Sequence, residues 1–183
     1  MKGFSIKTEI EEYDTFEQFA KEAQLGEKDL VLCGEHTYKQ YVEPLSLGVQ
    51  TLFREKYGKG EPTDGAVDAI LDALRDKNFD RIVAIGGGTV IDIAKAVAVA
   101  APEDKVDDLY DHVSELEKRH PLISVPTTCG TGSEVTNISV MNRVSKGVKM
   151  GLASDAMLAD KEVLITNLLD SMPYQVFATS SID

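Results

Sequence analysis

Residues 81–102 have the sequence RIVAIGGGTVIDIAKAVAVAAP, in which three kinds of segment follow one another. Ile82 to Ile85 are apolar and mostly β-branched, as is typical of a strand that is buried on both faces. Gly86 to Gly88 then carry no side chains, and the alanine-rich residues 89–101 predict a helix with one apolar face. The stretch therefore predicts a buried strand, a bare turn and the start of a helix.

The glycine turn favours the binding of an anion. The first N–H groups of a helix have no intrahelical acceptor, and the helix dipole adds partial positive charge at the same end. Two explanations are open, a phosphate- or pyrophosphate-binding site and a tight turn whose glycines need positive φ angles. Three consecutive glycines cost more backbone entropy than a tight turn alone requires, which favours the phosphate-binding site.

Two common phosphate motifs do not fit the turn. The dinucleotide fingerprint requires glycine at its first, third and sixth positions, and the sixth position counted from Gly86 is Ile91. The P-loop requires Gly-Lys followed by Ser or Thr, and the sequence contains no such run after four free positions. The turn instead has the pattern G-G-G-T-x-x-D-x-A-K, which ends at Asp92, Ala94 and Lys95.

Composition and charge exclude several classes of partner. The chain has 183 residues, 43% of them hydrophobic, and a formal net charge of −12, which is typical of a globular protein that binds neither nucleic acid nor anionic membranes. Cys33 and Cys129 form no Cys-x-x-Cys pair, which favours a reducing compartment. The sequence shows no apolar run of about 20 residues and no signal peptide, so we expect a cytoplasmic protein without a membrane partner.

Strand and helix patterns alternate on both sides of the glycine turn. Asp14 with Glu17 predicts a capped helix, Thr63 or Asp64 predicts the start of another, and Lys146-Gly147 predicts a hairpin turn. The strands are predicted at Phe4–Ile10, Leu30–Cys33, Val49–Phe53, Ile82–Ile85, Leu122–Val125 and Met157–Ala159. This order predicts one α/β domain over residues 1–183, with a doubly wound, mainly parallel sheet and helices on both faces. Ligands of such sheets bind at the carboxyl ends of the strands, where Gly34-Glu35 and the glycine turn both lie.

A second polar motif follows the strand at Leu122–Val125. Residues 126–135 have the sequence PTTCGTGSEV, in which Thr127, Thr128, Thr131 and Ser133 bring four hydroxyl groups close to two glycines. By composition, the segment is either a loop that binds a polar ligand or an ordinary connecting loop.

The two motifs together resemble the signatures of the iron-containing alcohol dehydrogenases, a family related to glycerol dehydrogenase and dehydroquinate synthase. The resemblance rests on G-G-G-(S/T)-x-x-D-x-A-K at 86–95 and P-T-T-x-G-T-G-S-E at 126–134, which occur in the family's order and at about its separation. It extends from about Leu30 to Asp183. It implies a Rossmann-like, NAD- or, less readily, NADP-binding N-terminal domain with the dehydroquinate synthase-like fold of the family, followed by an all-helical metal-binding domain that is missing here.

The resemblance also implies roles for particular residues. The family usually has Asp at the position that binds the adenosine ribose, whereas this chain has Gly34-Glu35, and Glu35 as acceptor for the ribose 2′-hydroxyl would favour NAD. Asp92 would hold the turn or nearby groups. The implied cofactor-binding residues are Glu35, Gly86, Gly87, Gly88, Thr89, Asp92, Thr127, Thr128, Thr131, Gly132, Val140 and Lys149. Another departure is Glu61-Pro62-Thr63, where the family has Asn-Pro-Thr.

The metal ligands of the family are one Asp and three His on the helical domain. The chain closes with the sequence S-S-I-D, and the resemblance implies that Asp183 is the first ligand to iron or zinc in a longer parent protein, at the start of the missing domain. The three histidines, His36, His112 and His120, lie where the family has no ligands, and we predict surface or loop positions for them.

The resemblance thus implies the cofactor-binding part of a metal-dependent alcohol dehydrogenase. Such an enzyme passes a hydride between a small alcohol or hydroxy acid and NAD(P), and we expect the full-length protein to be a homo-oligomer that acts on an alcohol or aldehyde. No catalytic residue is predicted within the chain, which we expect to be inactive alone. Two alternatives are a glycerol dehydrogenase- or dehydroquinate synthase-like enzyme and a non-catalytic nucleotide-binding module.

Overall fold

Six parallel strands form the central sheet in residues 7–170 and 172–182, which are the residues that this computed structural model describes. The strands of the chain are β1 (Glu9–Glu12), β2 (Asp29–Cys33), β3 (Gln50–Phe53), β4 (Arg81–Gly86), β5 (Leu122–Pro126), β6 (Ile138–Arg143), β7 (Val148–Ala153) and β8 (Lys161–Leu164). The sheet has the order β1-β8-β5-β4-β2-β3, and β6 and β7 form a separate antiparallel hairpin. The predicted parallel sheet and hairpin are confirmed.

Helices cover both faces of this sheet. They are α1 (Phe16–Glu22), α2 (Glu35–Thr37), α3 (Asp64–Leu74), α4 (Gly88–Val99), α5 (Val106–Asp111) and α6 (Tyr174–Ser180), and α2 continues into a π-helical turn (Tyr38–Val42) and a 3-10 turn (Glu43–Leu45). None of the helices described in these residues has the length and hydropathy of a transmembrane segment.

The two faces of the sheet contribute to two separate cores. Because successive side chains of a strand point to opposite faces, Leu30 and Leu32 of β2 pack against the side of α3, α4 and the hairpin, whereas Val31 and Cys33 pack against α1 and the turns after α2. All four side chains are buried, as the continuous apolar sequence of a parallel strand predicts. The doubly wound architecture is therefore confirmed.

One predicted helix start is wrong by one residue, and another is confirmed. The predicted cap at Asp14 is wrong by one residue, because Thr15 is the N-cap of α1 and its hydroxyl accepts a hydrogen bond from the Gln18 N–H at 3.2 Å. Of the two caps predicted for α3, Thr63 or Asp64, Thr63 is the N-cap, and its hydroxyl accepts a hydrogen bond from the Ala66 N–H at 3.2 Å. The N-cap predicted at Ser171 lies outside the described residues.

The predicted strand at Met157–Ala159 is wrong. A 3-10 turn occupies Asp155–Met157 because the Ser154 hydroxyl accepts a hydrogen bond from the Ala156 N–H and bends the chain there. The strand β8 follows at Lys161–Leu164 instead. The first strand is also displaced: residues 4–6 of the predicted Phe4–Ile10 lie outside the described residues, and within those β1 runs from Glu9 to Glu12.

The strand register brings three carboxyl ends to one edge. Cys33 at the end of β2 pairs with Ile85 of β4, and Gly86 at the end of β4 pairs with Pro126 at the end of β5. Neighbouring strands of a sheet lie about 4.8 Å apart, so the turns that leave these strands are close neighbours.

Candidate functional site

The glycine turn joins β4 to α4 without positive φ angles. Gly86 is the last residue of β4, Gly87 is the N-cap of α4 with φ −78°, and Gly88 is the first helical residue. None of these three glycines is among the residues with positive φ in the described part of the chain. A turn that merely requires left-handed glycine is therefore excluded as the reason for the three glycines.

The three glycines are required by close packing. A Cβ on Gly86 would lie 2.6 Å from Val90 Cγ2, and a Cβ on Gly87 would lie 2.9 Å from Thr128 Oγ1. On the next residue, Gly88, it would lie 3.1 Å from Ser133 Oγ. The absence of side chains thus allows the hydroxyl-rich loop to pack directly against the turn, and the two sequence motifs form one site.

The start of α4 presents unpaired donors. The N–H groups of Val90 and Ile91 both donate to the Gly87 carbonyl, at 2.9 and 3.2 Å, so they complete the first turn. By contrast, the N–H groups of Gly88 and Thr89 have no acceptor within the described residues, and Gly87 offers no side-chain cap. Two free donors at the positive end of a helix favour an anion, and this geometry fits a phosphate group.

Asp92 ties α4 to the hairpin behind the turn. Its Oδ2 accepts a hydrogen bond from the Val140 N–H at 3.0 Å, and its main-chain carbonyl accepts from the Ser139 hydroxyl at 2.7 Å. Asp92 is buried, and burial raises the pKa of this carboxyl. The bonds are those expected of a residue that holds the turn in place.

Lys95 lies one helical turn further along and is completely buried. Its Nζ donates to the Ile138 carbonyl at 2.7 Å and to Thr136 Oγ1 at 3.1 Å, and it lies 3.6 Å from Asp92 Oδ1. Burial lowers the pKa of Lys95, and the neighbouring Asp92 carboxylate opposes that change. The ammonium group thus joins α4 to the segment between the hydroxyl-rich loop and β6.

The hydroxyl-rich loop contains two left-handed glycines. Gly130 has φ +108° and Gly132 has φ +62°, and a Cβ on Gly130 would lie 1.5 Å from the Ser180 carbonyl oxygen of α6. The loop starts with the Thr127 N–H, which donates to the Gly86 carbonyl at 3.1 Å. Its course is therefore determined by the glycine turn at one end and by α6 at the other.

A cleft opens beside the start of this loop. Thr127 and Thr128 line it together with His36 from α2 and with Pro173 and Val176 at α6. His36 is exposed, as predicted, but it lies next to the predicted cofactor-binding threonines. The sequence offered no signal for this proximity, since the residues come from three distant segments.

The β6–β7 hairpin, which carries the predicted contacts Val140 and Lys149, lies beside residues 61–63. Lys149 is exposed on β7, and its Nζ forms an ion pair with Glu61 at 2.5 Å. The Pro62 carbonyl accepts a hydrogen bond from the Asn142 N–H at 2.8 Å. The segment that departs from the family's Asn-Pro-Thr therefore pairs with the hairpin that carries Val140 and Lys149.

Glu55, which the sequence did not single out, lies beside Glu35 at the carboxyl end of β2. Glu35 is exposed at the start of α2, and its N–H donates to Glu55 Oε2 at 3.3 Å. Glu55 follows β3, within the 3-10 turn Arg54–Tyr57. The ribose contact of Glu35 stays a prediction. Glu55 is a second carboxylate next to Glu35 at this strand end.

Two further carboxylates, those of Glu134 in the hydroxyl-rich loop and Glu162 in β8, interact electrostatically. Glu162 of β8 is only 4% exposed, and burial together with the charge of Glu134 raises its pKa to about 7. Within the described residues, the Oε2 atoms of both side chains are buried and have no hydrogen-bond partner. Glu162 is not predicted from the sequence, because the strand expected at Met157–Ala159 forms at Lys161–Leu164 instead.

The remaining predictions are the positions of two histidines and the metal ligand Asp183. His112 is exposed and lies 3.8 Å from Glu115, whereas His120 stacks on Phe79 with a centroid distance of 4.4 Å. Burial lowers the pKa of His120. Asp183 lies outside the described residues, within which no group of three or more His, Cys, Asp or Glu side chains is arranged to hold a metal.

Comparison with known proteins finds one family. The family model described as iron-containing alcohol dehydrogenase matches residues 9–166. Among curated proteins, a 4-hydroxybutyrate dehydrogenase of Clostridium kluyveri is 42% identical over 183 residues, which are 100% of this chain and 49% of that protein. An NAD-dependent methanol dehydrogenase of Bacillus methanolicus is 31% identical over 125 residues, 67% of this chain and 32% of that protein.

The solved structures agree with this result. An iron-containing alcohol dehydrogenase of Thermotoga maritima superposes with a TM-score of 0.80 at 26% identity, and the match covers 99% of this chain and 52% of that one. The chain thus spans about half the length of this structure and of the Clostridium kluyveri enzyme.

Proposed function

This chain belongs to the iron-containing alcohol dehydrogenase family, and on that premise we propose that it is the NAD-binding part of a metal-dependent dehydrogenase. The whole protein would transfer a hydride between a small alcohol or hydroxy acid and the nicotinamide ring, which is the chemistry that bound NAD supplies. The contribution of this chain is to bind and orient the cofactor.

The observation that carries the proposal is the pair of free N–H groups at Gly88 and Thr89. They lie at the positive end of the 12-residue helix α4, and the hydroxyl-rich loop packs against them through Thr128 and Thr131. A pyrophosphate there would accept hydrogen bonds from main-chain donors without any lysine or arginine. Such binding is compatible with the net charge of −12.

The other predicted residues would complete the contacts. Thr127, Gly132 and the hairpin residues Val140 and Lys149 stay proposed contacts to the cofactor. Lys149 would have to exchange its ion pair with Glu61 for the ligand, and the Val140 N–H already binds Asp92, so Val140 would contact the cofactor through its side chain. Asp92 itself would act by positioning α4 rather than by touching the cofactor.

The names of the relatives support a proposal for the substrate and the metal. The relative that is 42% identical is named for 4-hydroxybutyrate, which favours a short hydroxy acid with a terminal hydroxyl as the substrate of the whole protein. Iron is favoured over zinc by the family, with Asp183 as one proposed ligand. The cytoplasmic location and the homo-oligomeric state predicted from the sequence are retained as part of the proposal.

Calorimetric titration of the 183-residue chain with NAD+ tests the proposal. We expect Gly88→Val to weaken binding at least about tenfold, because hydrogen bonds to a charged group contribute about 1.5–3 kcal/mol each and the new side chain would block the approach of the phosphate. Gly65→Val is the matched control, since Gly65 is the second residue of α3 and a Cβ there meets no atom within 4 Å. Equal affinity of both variants and the wild type, or no binding by the wild type, would contradict the proposal.

A further inference from the structure

The carboxyl end of β2 lies next to the glycine turn, and a single glycine, Gly34, follows it. Cys33 is in register with Ile85 of β4 on one side and with Phe53 of β3 on the other. Gly34 therefore leaves the sheet between the strand that carries the glycine turn and the strand that leads to Glu55.

The side-chain volume missing at Gly34 is filled by Glu55. A Cβ on Gly34 would lie 2.6 Å from Glu55 Oε1, and the Glu35 N–H donates to Glu55 Oε2 at 3.3 Å. The negative charge of Glu55 also adds to burial in raising the pKa of Cys33 to about 12. The carboxylate thus lies at the strand end, where a side chain of residue 34 would begin.

The carboxylate of Glu55 has no cationic partner within the described residues. The two cations next to it in the sequence are engaged elsewhere: Arg54 Nη2 donates to the Gly60 carbonyl, and Lys56 Nζ lies 5.3 Å from the centroid of the Phe53 ring. Since Glu55 is exposed, its oxygens remain available to a ligand hydroxyl.

In α/β folds that bind dinucleotides, a carboxylate that follows the strand next to the glycine turn accepts hydrogen bonds from the adenosine ribose, and its charge repels the 2′-phosphate of NADP. We propose that Glu55, rather than Glu35, supplies this carboxylate from the neighbouring strand and makes the site selective for NAD. Glu35 contributes through its main-chain N–H, which orients the Glu55 carboxylate. The inference rests on the proposed function and identifies which dinucleotide the same site accepts.

The test measures the dissociation constants of NAD+ and NADP+ for the full 183-residue chain and two variants. Glu55→Gln keeps the size of the side chain but removes its charge, and it leaves the neighbouring Arg54 and Lys56 in place. We expect the preference for NAD+ over NADP+ to fall at least about tenfold, through weaker NAD+ binding and stronger NADP+ binding. Glu35→Gln retains the main-chain N–H and tests the competing assignment, because a loss of preference in this variant would mean that the Glu35 side chain supplies the carboxylate.

The outcomes distinguish a failure of the Glu55 assignment from a failure of the proposed NAD-binding function. If the wild type binds NAD+ but Glu55→Gln leaves the preference unchanged, or if Glu35→Gln alone lowers it, the assignment of Glu55 is overturned and the proposed function stands. If the wild type binds neither dinucleotide, the proposed function and this inference both fail. Circular dichroism of each variant confirms that the fold is retained, since both side chains are exposed.

Discussion

Glycines lie at the carboxyl ends of two neighbouring strands of the sheet, yet these two strand ends offer opposite charges to a ligand. At the end of β4, Gly88 and its neighbour Thr89 present free N–H donors at the start of a helix. At the end of β2, Gly34 leaves a volume that the carboxylate of Glu55 fills. A glycine at a strand end therefore specifies only that no side chain is present, and the residue that packs into the gap determines which chemical group of a ligand fits.

The difference arises from the polarity of the neighbouring groups. The gaps at Gly87 and Gly88 are filled by the hydroxyls of Thr128 and Ser133, which carry no net charge and leave the positive field of α4 in place. A carboxylate in the same position would cancel that field. The two ends together suit a ligand with a phosphate at one point and a ribose at the next, as the proposed NAD site requires.

The largest expected effect is a loss of stability when Lys95, which binds the residues around the start of α4 together, is replaced. Lys95→Ala leaves the buried Asp92 carboxylate without its cationic partner and removes the hydrogen bond to the Ile138 carbonyl, so we expect the free energy of unfolding to fall by about 3–5 kcal/mol. Urea unfolding without cofactor measures the change. Lys149→Ala is the control, because its ion pair with Glu61 is exposed and should contribute about 0.5 kcal/mol. Similar losses in both variants would show that the buried ammonium does not hold the β4 end.

A smaller effect concerns a carboxylate near the hydroxyl-rich loop that is buried rather than exposed. The folded pKa of Glu162 is about 7, above its ordinary value of 4.5, so the folded state binds more protons between these pH values. The free energy of unfolding should therefore decrease as the pH rises from about 4.5 to 7 and become constant above that range. A shift of one pKa unit corresponds to about 1.4 kcal/mol, so we expect a decrease of about 1–3 kcal/mol over this pH range.

Glu162→Gln should remove this decrease, whereas Glu103→Gln, which changes an exposed carboxylate, should retain it. Thermal or urea unfolding at several pH values measures both variants. If the stability of the wild type and of Glu162→Gln depends on pH in the same way, Glu162 does not behave as a buried carboxylate, and its contrast with the exposed Glu55 is wrong.

The smallest expected effect tests the gap at Gly34 directly. In Gly34→Ala, the new Cβ would lie 2.6 Å from Glu55 Oε1, and the flexible carboxylate should move aside at little cost in stability. We expect the preference for NAD+ over NADP+ to fall about threefold, the low end of the contribution of one hydrogen bond. Gly26→Ala, where a Cβ meets no atom within 4 Å, is the control for titration with both dinucleotides. An unchanged preference in Gly34→Ala would mean that the position of the carboxylate is not set by this gap.

Features that depend on residues close together in the sequence were predictable. The apolar run before Gly86 predicted the buried strand, and the alternation of strands and helices predicted the parallel sheet. The turn of the hairpin was predicted at Gly147, which has φ +70° as expected for glycine there. In each case, local sterics and hydrophobic burial favour the same local structure.

Features that depend on register and tertiary contacts were not predictable. Glu55 follows Glu35 by 20 residues, and the two meet only because Cys33 pairs with Phe53. β8 begins with Lys161 and Glu162, whose polarity hides an interior strand that is recognisable only from its neighbours β1 and β5. The sequence resemblance identified the glycine turn and the threonines, but it could not show which carboxylate lies at the end of β2.

The contact between the hydroxyl-rich loop and α6 restricts how this region can change during evolution. A Cβ on Gly130 would lie 1.5 Å from the main-chain oxygen of Ser180, and no replacement of the Ser180 side chain can move that oxygen. The φ angle of +108° at Gly130 independently favours glycine. Position 130 should therefore be invariant among relatives while position 180 drifts, so that two residues in direct contact leave no covariation signal.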